Sequence, residues 1–151
     1  MSKTTIFNVK TNKVLTDIAD IVIWWGNNSD TVDYMTLSHK RNKLTAHLAF
    51  LSEIFAREQV NNDYRYIERK VKEAEIITEY KEKIDIKSFA AAERLAEKDD
   101  RFVKAFKEQK AIEANFERLK QLIRQCNAIL LAMHQTISIA VKEQENITHG
   151  G

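Results

Sequence analysis

Between Asn27 and His149 the chain contains neither glycine nor proline; its three glycines are Gly26, Gly150 and Gly151, and the proline count is zero. Those two residues most reliably break helices and shape tight turns. A chain that lacks them over such a length is expected to consist of long helices. It also lacks the material for Gly-rich phosphate cradles and for the sharp turns that carry catalytic nucleophiles. The expectation is an all-α protein, non-enzymatic and without a cofactor or bound metal, that acts through helix surfaces.

The remaining composition narrows the class of partner. At 151 residues the chain is long enough to bury a core as one domain. Charged residues make up 30%, which suits exposed helix faces, but the formal net charge is only +2. Any contact with nucleic acid must therefore come from a local patch rather than from a field over the whole molecule. A single cysteine, Cys126, excludes an internal disulfide and fits a reducing, cytoplasmic setting. Met1 to Lys13 is polar, without the apolar stretch of a signal peptide. The apolar run Ile21–Trp25 is too short to span a bilayer.

Periodicity places the helices. Residues 1–12 read as a flexible arm, 13–145 as a single helical domain and 146–151 as a flexible tail. Val14, Leu15, Ile18, Ile21, Val22 and Trp25 recur at helical spacing, predicting a short helix over 13–25 that ends at Gly26. Asp30 or Thr31 would cap the next helix. Its seam is Tyr34, Leu37, Arg41, Leu44, Leu48, Leu51 and Phe55. Asn61-Asn62-Asp63 predicts its end, because short polar side chains compete for helical hydrogen bonds. A third helix over 64–84 would place Ile67, Val71, Ala74, Ile77, Tyr80 and Ile84 on one side and complete an antiparallel helical hairpin. Asp85 or Ser88 would then cap a long last helix.

That last helix carries the most regular pattern, Phe102, Ala105, Gln109, Ile112, Phe116, Leu119, Ile123, Cys126, Leu130, Met133, Ile137 and Ala140. Leu122, Ile129 and Leu131 add apolar positions beside the seam where a two-stranded coiled coil would carry charge. The pattern predicts a coiled-coil-like helix in an oligomeric bundle, with Phe116, Leu119, Ile123, Cys126, Leu130, Met133 and Ile137 as the interface. A helix over 88–145 would be about 85 Å long. Either oligomerisation or folding back of the first two helices must cover it. Lys98-Asp99-Asp100-Arg101 admits a kink or an exposed charged turn.

Chemistry-bearing residues are sparse. His39 and His47 are two turns apart, and no His-Glu-x-x-His pattern occurs. His134 reads as a polar insertion in a packed face. Cys126 lies on the seam and reads as a small hydrophobe. The Glu/Lys pairs of 68–83 read as a solvated face. Two basic clusters stand out. One contains Lys40, Arg41 and Lys43; the other contains Tyr64, Arg65, Tyr66, Arg69, Lys70 and Lys72. Cations beside tyrosines at a hairpin tip suit a single strand, since cations track phosphates and bases stack on rings. The alternative is tyrosines packed in the hairpin with charges facing water. Trp24 and Trp25 are either a cap on the bundle or an anchor for a partner protein.

The stretch Ala90-Ala91-Ala92-Glu93-Arg94-Leu95-Ala96-Glu97-Lys98-Asp99, followed by an amphipathic helix ending Gln125-Cys126-Asn127-Ala128-Ile129-Leu130-Leu131-Ala132-Met133, resembles the recombination mediator proteins of T-even-like bacteriophages. The similarity covers residues 32–142 and lies in the pattern of helices and apolar positions. The resemblance implies a small helical homo-oligomer, a ring built through its C-terminal helices. It implies binding of single-stranded DNA and help to a phage recombinase in displacing the single-strand-binding protein. The family's basic pair would fall in Val71–Thr78, where only Lys72 is basic, so that pair does not carry over. Arg65, Arg69 and Lys70 are the neighbouring substitutes. The competing expectation is a phage structural or assembly protein whose helices multimerise and dock a partner.

Overall fold

The computed structural model describes residues 8–30, 33–83 and 88–150. Among the described residues the chain is entirely helical: α1 (Val9–Asn28), α2 (Tyr34–Lys83), α3 (Phe89–Ala96) and α4 (Asp100–His149), with no strands. The expectations placed on Thr31, Ile84, Asp85 and residues 1–7 lie outside the described residues.

Each boundary follows from local chemistry. α1 begins at Val9 rather than Lys13, because Asn8 caps it: the Thr11 amide donates to Asn8 Oδ1 at 2.9 Å. Gly26 does not end α1, which continues through it to Asn28. The cap of α2 is Asp33, not Asp30. The amide and hydroxyl of Thr36 both donate to Asp33 Oδ2, at 3.1 and 2.9 Å. Those bonds, the amide's first, hold the Asp33 carboxyl below its ordinary range.

The expected stop at Asn61–Asp63 is absent, and α2 is one continuous helix of 50 residues. The asparagine side chains do not compete for their own backbone. Asn62 Oδ1 accepts from Gln109 Nε2 at 3.1 Å, and Asn61 Nδ2 donates to Glu58. The expected hairpin between 34–60 and 64–84 therefore does not exist. At the other disputed point the chain does break. Residues Glu97–Asp99 separate α3 from α4, and Asp99 caps the new helix by accepting from the Arg101 amide at 2.8 Å. α4 then runs through 146–149, read from the sequence as part of a tail.

The chain divides into two compact units. Unit 2 is Ala56–Arg118, and unit 1 takes the described residues on either side of it. Unit 1 thus contains α1, the first part of α2 and α4 from Leu119. Its core joins Val14, Ile18 and Ile21 of α1, Leu37, Leu44 and Leu51 of α2, and Leu119, Cys126, Leu130, Met133 and Ile137 of α4. The positions expected to form an oligomer seam from Leu119 onward are therefore covered by the chain's own first two helices. Ile123 packs against the same core, and Phe116 falls in unit 2, half-buried.

Unit 2 contains the rest of α2, α3 and the start of α4. Asn62 meets Gln109 while Glu79 meets Arg101, so α2 and α4 run antiparallel here. Its apolar cluster is small: Ile76, Ile77, Ala92 and Ala96, with Tyr80 and Phe102 beside them. The two alanines have no side chain beyond Cβ, which lets α3 pack closely on α2. Ile67 and Val71, expected on the packed side of a third helix, are exposed instead.

Candidate nucleic-acid interface

In unit 2 the inward face of α2 is Glu58, Asn62, Arg65, Arg69 and Glu73, each buried or half-buried. Arg69 is the centre of this face. Its side chain is only 11% exposed, and its Nε lies 3.3 Å from Glu73 Oε1. The guanidinium carbon is 5.3 Å from the centre of the Tyr66 ring and 5.6 Å from that of Phe106. Lys70 Nζ lies 5.8 Å from the Tyr66 ring centre and donates to Glu73 Oε2 at 3.2 Å. Lys110 Nζ lies 5.5 Å from the Phe106 ring centre and donates to Glu113 Oε2 at 2.8 Å. That bond, with a smaller one from Gln109, holds the Glu113 carboxyl below its ordinary range.

The result is a cluster of two exposed rings and three cations, drawn from α2 and α4 and partly neutralised by Glu73 and Glu113. A ring with cations at its face presents a flat apolar surface beside positive charge, which is the chemistry that holds an unpaired base and its phosphate. Phe106 and Lys110 were not singled out from the sequence. Their place depends on α2 continuing past Asn62 to meet α4, and the expected stop at Asn61–Asp63 concealed that pairing.

The other expected contacts separate. Tyr64 and Tyr66 are two residues apart on a continuous helix, so they point about 200° away from each other. Tyr64 is exposed on the far side from Arg69, and Arg65 is half-buried on the inward face. Lys72 lines a groove of about 370 Å³ with Arg101 and Lys104, opposite Glu75, Glu79 and Glu108. Three carboxylates against three cations leave no net attraction for an anion there. Lys40, Arg41 and Lys43 belong to unit 1. Lys40 Nζ sits 5.4 Å from the Trp24 ring centre, and the Arg41 guanidinium donates to Asn42 Oδ1.

Trp24 and Trp25 are half-buried against the unit 1 core, and Asn28 Nδ2 donates to the Trp24 carbonyl at 2.8 Å. This geometry matches the bundle-cap alternative. His134 is exposed rather than inserted in a packed face; it lies at the edge of the buried face formed by Cys126, Leu130, Met133 and Ile137. His47 Nε2 lies 3.6 Å from Asp17. Cys126 is fully buried, and burial pushes its thiol up, away from the reactive thiolate. Among the described residues, no three His, Cys, Asp or Glu side chains gather as a metal site would require. None of the described helices is long and apolar enough to cross a membrane.

A second polar group closes unit 2 where α3 meets α4. Arg101 donates to Glu79 Oε2 at 2.8 Å and to Asp99, and the Tyr80 hydroxyl donates to Asp99 Oδ2 at 3.1 Å. The Arg101 bonds, with help from Tyr80, hold the Asp99 carboxyl down at about 2. Arg101 lowers Glu79 as well, and Asp99 raises the Tyr80 phenol. No family model matches this chain, and no curated protein or solved structure is significantly similar to it.

Proposed function

We propose that the protein is a non-catalytic single-strand-binding protein of the recombination-mediator type, taking single-stranded DNA on the Tyr66–Arg69–Phe106 cluster of unit 2. The observation that carries this reading is the pair of exposed rings, each with two cations near its face. Bases would stack on Tyr66 and Phe106, while Lys70 and Lys110 turn from Glu73 and Glu113 toward phosphates. Arg69, held by Glu73 between the rings, acts as the support that fixes their spacing. Assistance to a phage recombinase rests on the resemblance in the helix pattern alone. A second reading, a phage structural or assembly protein, is favoured by a stripe of exposed apolar side chains on α2.

Fluorescence anisotropy with a labelled single-stranded oligonucleotide at two salt concentrations tests the first reading. It expects binding that weakens steeply with salt and drops about tenfold or more when Tyr66→Ala and Phe106→Ala are combined. Absence of binding at low salt, or binding indifferent to the double substitution, contradicts it.

A further inference from the structure

Val60, Tyr64, Ile67 and Val71 are 54, 65, 57 and 53% exposed. Their four–three–four spacing puts them on one stripe of α2, the rhythm of a helix–helix seam. The stripe lies on the side of the helix opposite Glu58, Asn62, Arg65, Arg69 and Glu73. Between Glu58 and Glu73, then, α2 turns its polar residues inward and its apolar residues to solvent. Scattered apolar residues on a surface are ordinary; four at heptad spacing form a patch that gains free energy by being covered.

The flanks of the stripe identify what covers it. One edge carries Asp63 and Lys70, and the other carries Asn61 and Glu68, all exposed. In a heptad seam these are the positions that select partner and direction. Set against the same stripe in a second copy running antiparallel, Val60 meets Val71 and Tyr64 meets Ile67. Asp63 of each copy then faces Lys70 of the other, twice over by symmetry, and Asn61 faces Glu68. Set parallel and in register, Asp63 of each copy instead faces Glu68 of the other, two like-charge contacts that Lys70 facing Glu75 offsets, so the antiparallel arrangement alone gains net attraction.

We propose that the outer face of α2 is an isologous interface between two copies of this chain, the two α2 helices antiparallel and centred between Tyr64 and Ile67. The apolar stripe is about 16 Å long, so the interface is small and association depends on concentration. It moves self-association from the C-terminal seam, which unit 1 buries, to a face of α2 that the chain leaves open. It shares Lys70 with the nucleic-acid reading, since Lys70 must turn from Glu73 to meet Asp63 of the other copy, while Tyr66 and Phe106 lie off the stripe and Ile67→Asp and Asp63→Lys test the interface alone.

Sedimentation velocity over a range of concentrations tests the interface. The expected result is a monomer–dimer equilibrium. Ile67→Asp, with helix content checked by circular dichroism, raises its dissociation constant by about tenfold or more. Asp63→Lys, away from the apolar stripe, also weakens the dimer, and adding Lys70→Asp to it restores association. Direction is read by crosslinking with a short thiol reagent. A mixture of Val60→Cys and Val71→Cys proteins crosslinks, and neither crosslinks alone; the unsubstituted chain, with Cys126 buried, is the control. A monomer at every concentration, or a dimer indifferent to Ile67→Asp and Asp63→Lys, overturns the interface. Val60→Cys protein that crosslinks to itself overturns the antiparallel arrangement.

Discussion

Units 1 and 2 are both built from α2 and α4 with one shorter helix added, α1 in the first and α3 in the second. They are held together differently. In unit 1 every seven-residue step of α2 delivers a leucine to the core: Leu37, Leu44 and Leu51 are all but fully buried. The next step delivers Glu58, and from there the inward face turns polar, through Asn62, Arg65, Arg69 and Glu73. The apolar side chains of unit 2 are then divided between the small cluster around Ile76 and Ala92 and the open stripe at Val60–Val71. One helix thus hides the same face along its length, and that face changes from apolar to polar midway. The lesson is that a heptad pattern fixes where a seam lies on a helix but not whether the same chain covers it. Unit 1 covers its seam; unit 2 leaves one exposed and satisfies its interior with hydrogen bonds and ion pairs.

The largest effect expected from this contrast is in unit 1. Leu44→Ala removes a side chain with no exposure from a close-packed core, and should destabilise the protein by about 2–5 kcal/mol in denaturant unfolding. Ile67→Ala, an equal truncation on the open stripe, should change monomer stability by less than about 0.5 kcal/mol. Equal losses at both positions would erase the distinction between the two faces.

A smaller effect tests the polar interior. Gln109→Leu strands Asn62, whose side-chain oxygen accepts from it, and should cost about 1–3 kcal/mol. Adding Asn62→Leu replaces both members by apolar groups and should recover most of that loss. Failure of the double variant to recover would mean that Asn62 is not paired with Gln109.

The smallest effect is at the α3–α4 junction. Asp99 and Glu79 both titrate below their ordinary values because Arg101 holds their charged forms. The folded protein therefore binds fewer protons than the unfolded chain in this window, and stability rises with pH there. Their contribution is complete above the unfolded carboxylate range and is lost as pH falls from about 4 through about 2. Protection of the amides at residues 97–103, taken relative to their intrinsic exchange at each pH, should fall across that window, and Arg101→Ala should abolish the change. An unaltered acid profile in Arg101→Ala would remove this account of the junction.

Much of unit 1 was legible from sequence. The α1 periodicity and the C-terminal seam from Leu119 onward identified side chains that the structure buries, and α1 and the first part of α2 fold back over that seam. The differences along the middle of α2 share a cause. Asn61-Asn62-Asp63 carries the composition of a helix end, and sequence alone cannot show that Asn62 has a partner 47 residues away in Gln109. That single misreading created the hairpin, put Tyr64 and Tyr66 together at its tip and hid Phe106 and Lys110. It also turned Ile67 and Val71 into core. Asp99 was harder still, because a charged run such as Lys98–Arg101 reads the same whether it kinks a helix or caps a new one.

α2 is unbroken through Asn61–Asp63, and between Glu58 and Glu73 its polar face lies inward and its apolar face outward. Amide hydrogen exchange along α2, resolved residue by residue, tests this most directly. The account predicts that the amides of Asn61, Asn62, Asp63 and Tyr64 are protected like their neighbours at Glu58 and Ile67, with no gap between them. Rapid exchange confined to residues 61–64 would mean that the helix ends there after all, and would contradict the polar interior, the Tyr66–Phe106 cluster and the antiparallel seam together.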